Sequence, residues 1–266
     1  MTLCRIGGIL AAIGIVVASA FPAASAEIVS DLAEPDLPPV YTRPWQAVEA
    51  TTEWVERISR LFISGVVSDE GHRQREVRKW SGPVRVAVRG DAAADFLEAV
   101  ADTAADLTAA TGLPISVSLA PGDAAPIELM ITWRREFWPA RISPRGPRTL
   151  FTCMALPSSR GGALRASRIL INAGVVGADG ARACILEEMA QSLGLLGEVE
   201  DEPGSLLSDQ IGYQHLGAVD ALLLNVLYDP RLPVGMPADD AAQRVRAIVA
   251  EKLGVRRDAL YVPLLP

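Results

Sequence analysis

Short segments with strand periodicity alternate with longer helical segments along the middle of the chain. Val84, Val86 and Val88 alternate with arginine and alanine, which predicts a strand with one buried face. Helical patterns cover 91–112, 179–196, 219–228 and 237–254, and strand patterns cover 115–119, 127–133, 151–156 and 167–171. This order predicts an α+β fold in which helices pack on one mixed sheet.

The first 26 residues have the pattern of a removable export signal. Arg5 precedes an apolar run at 9–20, and the small residues Ala24-Ser25-Ala26 suit cleavage before Glu27. The run is too short to span a bilayer comfortably, and no later stretch approaches ~20 apolar residues. We therefore expect a periplasmic or secreted protein with no stable membrane span after cleavage. An uncleaved anchor is the alternative.

The rest of the chain is expected to comprise a leader and one domain. Residues 27–46 contain four prolines, which is incompatible with a helix or a central strand and predicts an extended leader. An amphipathic helix is predicted over 45–67. Residues 47–266 are long enough to bury a sizeable core, which we place at about 80–236, followed by a C-terminal helix at 237–254.

Composition and charge exclude several classes of protein. Half of the residues are hydrophobic and 21% are charged, which is typical of a globular domain and not of a disordered or multi-span membrane chain. Acidic residues dominate 178–240, where Arg182 and Arg231 are the basic residues. The negative electrostatic potential of such a segment repels the phosphates of nucleic acid and can attract a cation or a basic partner. The alternative is a solvated acidic face that maintains solubility.

The cysteines are consistent with export. Cleavage would remove Cys4 and leave Cys153 and Cys184, and two cysteines in an oxidising compartment most often form a disulfide. Two separate buried thiols are the alternative. A catalytic thiol is not expected, because neither His72 nor His215 lies in a cysteine-hydrolase signature.

Residues 184–195, CILEEMAQSLGL, contain the one pattern that resembles a catalytic motif. Zinc peptidases of the metzincin type use His-Glu-x-x-His-x-x-Gly-x-x-His/Asp, because helical residues four apart project to one side and bind zinc while the glutamate activates water. Aligned with this motif, Glu187 and Gln191 occupy the first two ligand positions, and Gly197 occupies the third. Glu188 aligns with the general base and Gly194 with the turn glycine. The resemblance implies a degenerate zincin-like motif on a central helix.

The order of the predicted elements also resembles these peptidases, over roughly 82–229. The run DALLLNVLY at 220–228 is similar to the closing helix of the matrixin branch. Ser205-Leu206-Leu207 stands where that family has a methionine turn, although no methionine is present. The resemblance implies a zincin-like, metzincin-type fold.

Three sequence blocks resemble an exported proteobacterial family called domain of unknown function 2927. They are WSGPVRVAV at 80–88, CILEEMAQSLGL at 184–195 and LYDPRLPVGM at 227–236, in the order that the family has. Members are secreted or lipid-anchored and have no assigned activity. Many have a histidine in place of Leu186 and Asn-Asp in place of Gly197-Glu198, so this chain departs further from a catalytic pattern.

The candidate residues also have structural interpretations. Glu187 and Gln191 are four apart and can form a surface helical pair. Glu188 shares a helical stripe with Cys184, so it is expected to be partly buried and to need a hydrogen-bond partner. His215 is expected at the surface rather than as a ligand. A calcium site is disfavoured because its candidate ligands lack the spacing of a known loop: Glu198, Glu200, Asp201 and Glu202.

Two functions therefore remain open. The first is a non-catalytic cell-envelope protein, a pseudo-metallopeptidase, that binds a protein or peptide partner. The second is a hydrolase or peptidase that uses Glu188 as general base with an atypical metal or none. We favour the first, because a carboxylate, an amide and a glycine would bind zinc poorly, and we expect no zinc or other cofactor.

Overall fold

The computed structural model describes residues 51–67, 76–119, 125–135, 152–197, 199, 205–208 and 215–255. The predicted signal at 1–26 and leader at 27–46 lie outside the described residues. So do His72 and the four acidic residues of the calcium alternative.

Five strands form one mixed sheet. They are β1 (Val84–Arg89), β2 (Ile115–Ser118), β3 (Ile127–Thr132), β4 (Cys153–Arg160) and β5 (Ala163–Asn172). Their order in the sheet is β2-β1-β3-β5-β4. β1 pairs in parallel with β2 and β3, β3 pairs in parallel with β5, and β4 is antiparallel to β5. With the helices that pack on it, this sheet confirms the predicted α+β class.

The helices are α1 (Thr52–Leu61), which continues as a π-helix over Phe62–Val67, α2 (Leu97–Thr111), α3 (Ala173–Ser192), α4 (Ala218–Leu227) and α5 (Ala238–Leu253). A 3₁₀ turn at Ala93–Phe96 precedes α2, so this helix begins later than its pattern predicts. α3 begins earlier than predicted and contains a break at Gly177, whose φ is +76°. It ends at Ser192 rather than near Leu196.

The core lies between the sheet and the helices on one of its faces. α2 and α3 contact each other, α2 contacts β2, and α3 contacts β4 and β5, so both helices lie on the same face of the sheet. The strand residues on this face are buried, as the alternating pattern predicts: Val84, Val86, Val88, Ile127, Leu129, Ile131, Ile169 and Ile171. On the other face Arg85 and Arg168 are exposed, whereas Ala87 and Leu170 are buried.

A disulfide between Cys153 and Cys184 joins the start of β4 to α3. This confirms the predicted pairing. The bond closes a loop whose ends are 31 residues apart in sequence, and it fixes the last strand of the sheet on the helix that contains the motif.

Candidate functional site

The three sequence blocks meet at the C-terminal end of α3. The indole Nε1–H of Trp80 donates to the Ser192 carbonyl at 2.8 Å, and the Tyr228 hydroxyl donates to the Leu193 carbonyl at 2.8 Å. The backbone N–H of Trp80 donates to the same hydroxyl at 3.3 Å. These bonds position α3 relative to the start of β1 and the end of α4. The sequence indicated the blocks but gave no signal that they touch.

The motif residues lie on different sides of α3. Cys184 and Glu188 are buried against the sheet, whereas Glu187 and Gln191 are half-buried. Gly194 follows the helix with a φ of +117°, and a Cβ there would collide with the Arg78 carbonyl. The glycine of the motif is therefore required by backbone conformation and by close packing.

Gly197, which aligns with the third ligand position, lies against Gly65 in the π-helical segment. Its N–H donates to the Gly65 carbonyl at 2.6 Å, and a Cβ at this position would collide with the same oxygen. The backbones at Gly197 and Gly65 are in direct contact. Even a small side chain at Gly197 would require these two segments to separate.

Glu188 lies beside the outer edge of β4, the edge that faces away from β5. The N–H of Asn172 donates to the Thr152 carbonyl at 2.8 Å, so Thr152 points toward β5. Because hydrogen-bonded and non-hydrogen-bonded pairs alternate along antiparallel strands, the backbone groups of Cys153, Ala155 and Pro157 point away from β5. Within the described ranges, no other strand pairs with this edge.

The carboxyl group of Glu188 is in an apolar environment with one hydrogen bond. Its side chain belongs to a residue that is 4% exposed, and the backbone N–H of Ala155 donates to it. The second oxygen, Oε2, has no hydrogen-bond partner in the described part of the chain. Burial raises the pKa of Glu188 from its ordinary 4.5 to about 8, and the nearby Glu187 carboxylate contributes to the increase.

A proton on Glu188 therefore persists at neutral pH. A protonated carboxyl group can donate a hydrogen bond as well as accept one. The arrangement places such a donor and acceptor beside the outward backbone groups of an edge strand. It can bind a polar group there, or it can exchange a proton near neutral pH.

The predicted metal-ligand positions do not form a cluster. Within the residues that the structure describes, no group of three or more His, Cys, Asp or Glu side chains could hold a metal ion. His215 is exposed and lies near Asp106 on α2.

The segment aligned with the methionine turn forms a polar cluster that sequence reasoning missed. The Ser205 hydroxyl donates to Asp220 Oδ1 at 2.6 Å, and the N–H of Leu206 donates to Asp220 Oδ2 at 3.0 Å. Both Ser205 and Asp220 are buried. An aspartate in the first turn of an otherwise apolar helix was the available signal, since a buried carboxylate needs hydrogen-bond donors.

The comparisons with known proteins identify the family and leave its activity open. The model of the family described as "Protein of unknown function (DUF2927)" matches residues 55–247. The chain therefore belongs to this family, as its three sequence blocks predicted. No curated protein matches it. In the described ranges, no helix has both the length and the apolar character needed to cross a membrane.

Proposed function

We propose that this chain is an exported, non-catalytic protein of the cell envelope that binds an extended peptide segment of a partner along the outer edge of β4. Residues 1–26 would serve as its export signal, which places it in the periplasm or outside the cell. The observation that carries the proposal is the outer edge of β4, with which no strand pairs in the described ranges and beside which Glu188 has a buried, unpartnered oxygen.

Strand addition would use the outward carbonyl groups of this edge, because the N–H of Ala155 is already bonded to Glu188 and Pro157 has no N–H. Main-chain hydrogen bonds give affinity to such a complex, and side chains on the two faces of the strand give specificity. Leu156 is 41% exposed and Met154 is half-buried, so both can contact apolar side chains of an added strand. Oε2 of Glu188 is buried in the unbound chain, so the side chain would turn toward the edge before the protonated carboxyl group donates to a carbonyl of the bound peptide.

We further propose that the frame is zincin-like and has lost its metal. Its order of strand, helix, strands, motif helix and closing helix is the one that the resemblance to metzincins implies. Glu187 and Gln191 stand where imidazoles would bind zinc, and Gly197 packs against Gly65. On this proposal the protein is a pseudoenzyme.

A hydrolase with Glu188 as general base is the second candidate. The observation that favours it is the pKa of about 8, because a proton-transfer group works best when its pKa is near the working pH. In that case the outer edge of β4 would bind the substrate rather than a partner.

The proposal can be tested by selecting peptides that bind the mature protein from a displayed random library. Their affinities are then measured by fluorescence polarisation. Leu156→Lys should weaken binding by about tenfold or more, because it introduces a charge at the apolar contact. Ser116→Lys, an exposed position on β2 at the opposite side of the sheet, is the matched control and should bind normally.

The pH dependence of the same binding tests the role of Glu188. Affinity should fall above about pH 8, where the carboxyl group loses its proton, and Glu188→Gln should remove this dependence because the amide still donates. Equal affinities of the Leu156→Lys and Ser116→Lys variants would overturn the proposed binding edge. Cleavage of the selected peptides that depends on Glu188 would establish the hydrolase instead.

A further inference from the structure

A shallow cavity of about 300 Å³, broadly open to solvent, lies at the amino ends of β1 and β2. Its wall is formed by the segments 79–83 and 111–114, together with Tyr228 and Val234. None of these residues belongs to β4 or α3, so the cavity is separate from the Glu188 site. Its volume is at the lower end of the range of about 300–1,000 Å³ that is typical of small-molecule sites.

Most of the cavity wall is apolar. Pro83, Pro114, Leu113 and Val234 contribute aliphatic surface, and Trp80 contributes an aromatic ring system. The Trp80 indole N–H is already bonded to the Ser192 carbonyl, so the ring provides contact area rather than a polar group. Such a wall accommodates an apolar body of a few carbon atoms.

One buried cation lines this cavity. Lys79 is 7% exposed, and its Nζ donates to the carbonyls of Leu227 at 2.8 Å and Asp229 at 3.2 Å. An ammonium group has three N–H donors, and the third has no partner among the residues that the structure describes. Next to Lys79, the exposed Ser81 also has no hydrogen-bond partner within the described ranges.

The local charge balance leaves this ammonium group available to an anion. The Asp229 carboxylate is bonded to Arg231 at 2.8 Å and lies 3.3 Å from Lys252. Tyr228, whose ring centroid is 5.7 Å from Lys79 Nζ, carries no charge at neutral pH because burial raises its pKa. Arg231 also binds Glu251 at 2.8 Å, so the carboxylates of Asp229 and Glu251 both have cationic partners other than Lys79.

We propose that this cavity binds a small organic carboxylate, with its apolar body between Pro83, Pro114 and Val234 and its carboxylate on Lys79. The unused N–H of Lys79 donates to a carboxylate oxygen, and the wall of the same cavity includes the hydroxyl residue Ser81. A neutral ligand of the same shape lacks the charge-assisted bond and binds more weakly.

Calorimetric titration of the mature protein with 3-phenylpropionate, and with 3-phenylpropanol as the uncharged comparator, tests this site. The carboxylate should bind saturably, with an affinity about tenfold or more above that of the alcohol. Its affinity should fall above about pH 8, because burial lowers the pKa of Lys79 to about 8 and only the ammonium form binds an anion strongly. Equal affinity for acid and alcohol, or no binding of the acid, would overturn the proposal.

The Gly82→Leu variant tests whether the ligand binds in this cavity or elsewhere on the protein. It keeps Lys79, whose two bonds to carbonyls also support the fold. Gly82 lines the cavity, and a Cβ there meets no atom within 4 Å, so the leucine fits without disturbing the backbone. This variant should remain folded and lose binding of 3-phenylpropionate. Ala109→Leu, at an exposed position on α2 outside the cavity, is the control and should bind normally. Unchanged binding by folded Gly82→Leu would contradict the assignment.

Discussion

At the scale of single residues, Glu188 makes stability depend on pH. Its pKa is about 8 in the folded protein and near the ordinary 4.5 when unfolded, so the folded state holds the proton more tightly. The free energy of unfolding must then fall as pH rises from about 4.5 to about 8, by up to about 5 kcal/mol. In urea denaturation, Glu188→Gln should gain stability relative to the native protein between about pH 5 and about pH 9. Parallel pH profiles of the two proteins would contradict this expectation.

Gly194 provides a second test at this scale. Gly194→Ala should destabilise the fold by about 2–4 kcal/mol, because its φ of +117° disfavours a side chain and its Cβ would collide with the Arg78 carbonyl. Gly82→Ala is the matched control, since its Cβ meets open space, and it should change stability by less than about 1 kcal/mol. Similar losses in both variants would show that packing at Gly194 is not the cause.

Individual residues were predictable from sequence where local periodicity determines burial. The stripe shared by Cys184 and Glu188 predicted partial burial of Glu188, and the structure buries both residues more completely. The partner of Glu188 was not predictable, because Ala155 reaches it only through the register of β4 on β5 and through the disulfide. Such long-range pairings leave no local pattern in the sequence.

At the scale of elements, the disulfide determines how firmly β4 is held on α3. Reduction of the bond between Cys153 and Cys184, which are 31 residues apart, should lower the free energy of unfolding by about 3–4 kcal/mol on the chain-entropy model. Denaturation with and without reductant measures this difference. A Cys153→Ser, Cys184→Ser double variant is the control and should not respond to reductant. Two alkylatable thiols in the native protein, purified without reductant, would contradict the pairing.

The boundaries of elements were predicted less well than their existence. β4 continues past its predicted end at Leu156 to Arg160, because the nitrogen of Pro157 faces the outer edge and no bond to β5 is lost there. α3 begins at Ala173 because one helical turn precedes the break at Gly177. Hydrophobic periodicity predicts neither the extension of β4 past Pro157 nor the early start of α3.

At the scale of the whole molecule, the succession of elements along the sequence predicted one mixed sheet with packed helices. It did not predict the order of the strands in the sheet, β2-β1-β3-β5-β4. Strand order depends on which buried faces meet, and many arrangements satisfy the same alternating patterns. The three family blocks were recognised separately, yet Trp80, Ser192 and Tyr228 join them into one hydrogen-bonded junction. This junction fixes α3, and with it Glu188, relative to the sheet.

A further prediction for the whole molecule concerns its zinc content. The purified protein should contain no stoichiometric zinc, since Glu187, Gln191 and Gly197 replace the expected ligands and would bind zinc poorly. Elemental analysis after extensive dialysis measures this, with an active zinc peptidase treated in parallel as the control. Near-equimolar zinc would show that other ligands complete a site.

Hydrolysis of labelled casein by the native protein tests the central claim, that Glu188 serves binding rather than catalysis, most directly. The assay should cover about pH 6–9, where the carboxyl group passes through its pKa of about 8, and include added zinc. We predict no turnover above that of buffer at any pH, and no difference between the native protein and Glu188→Gln. Reproducible hydrolysis that disappears in a stably folded Glu188→Gln variant would contradict the account and identify a hydrolase.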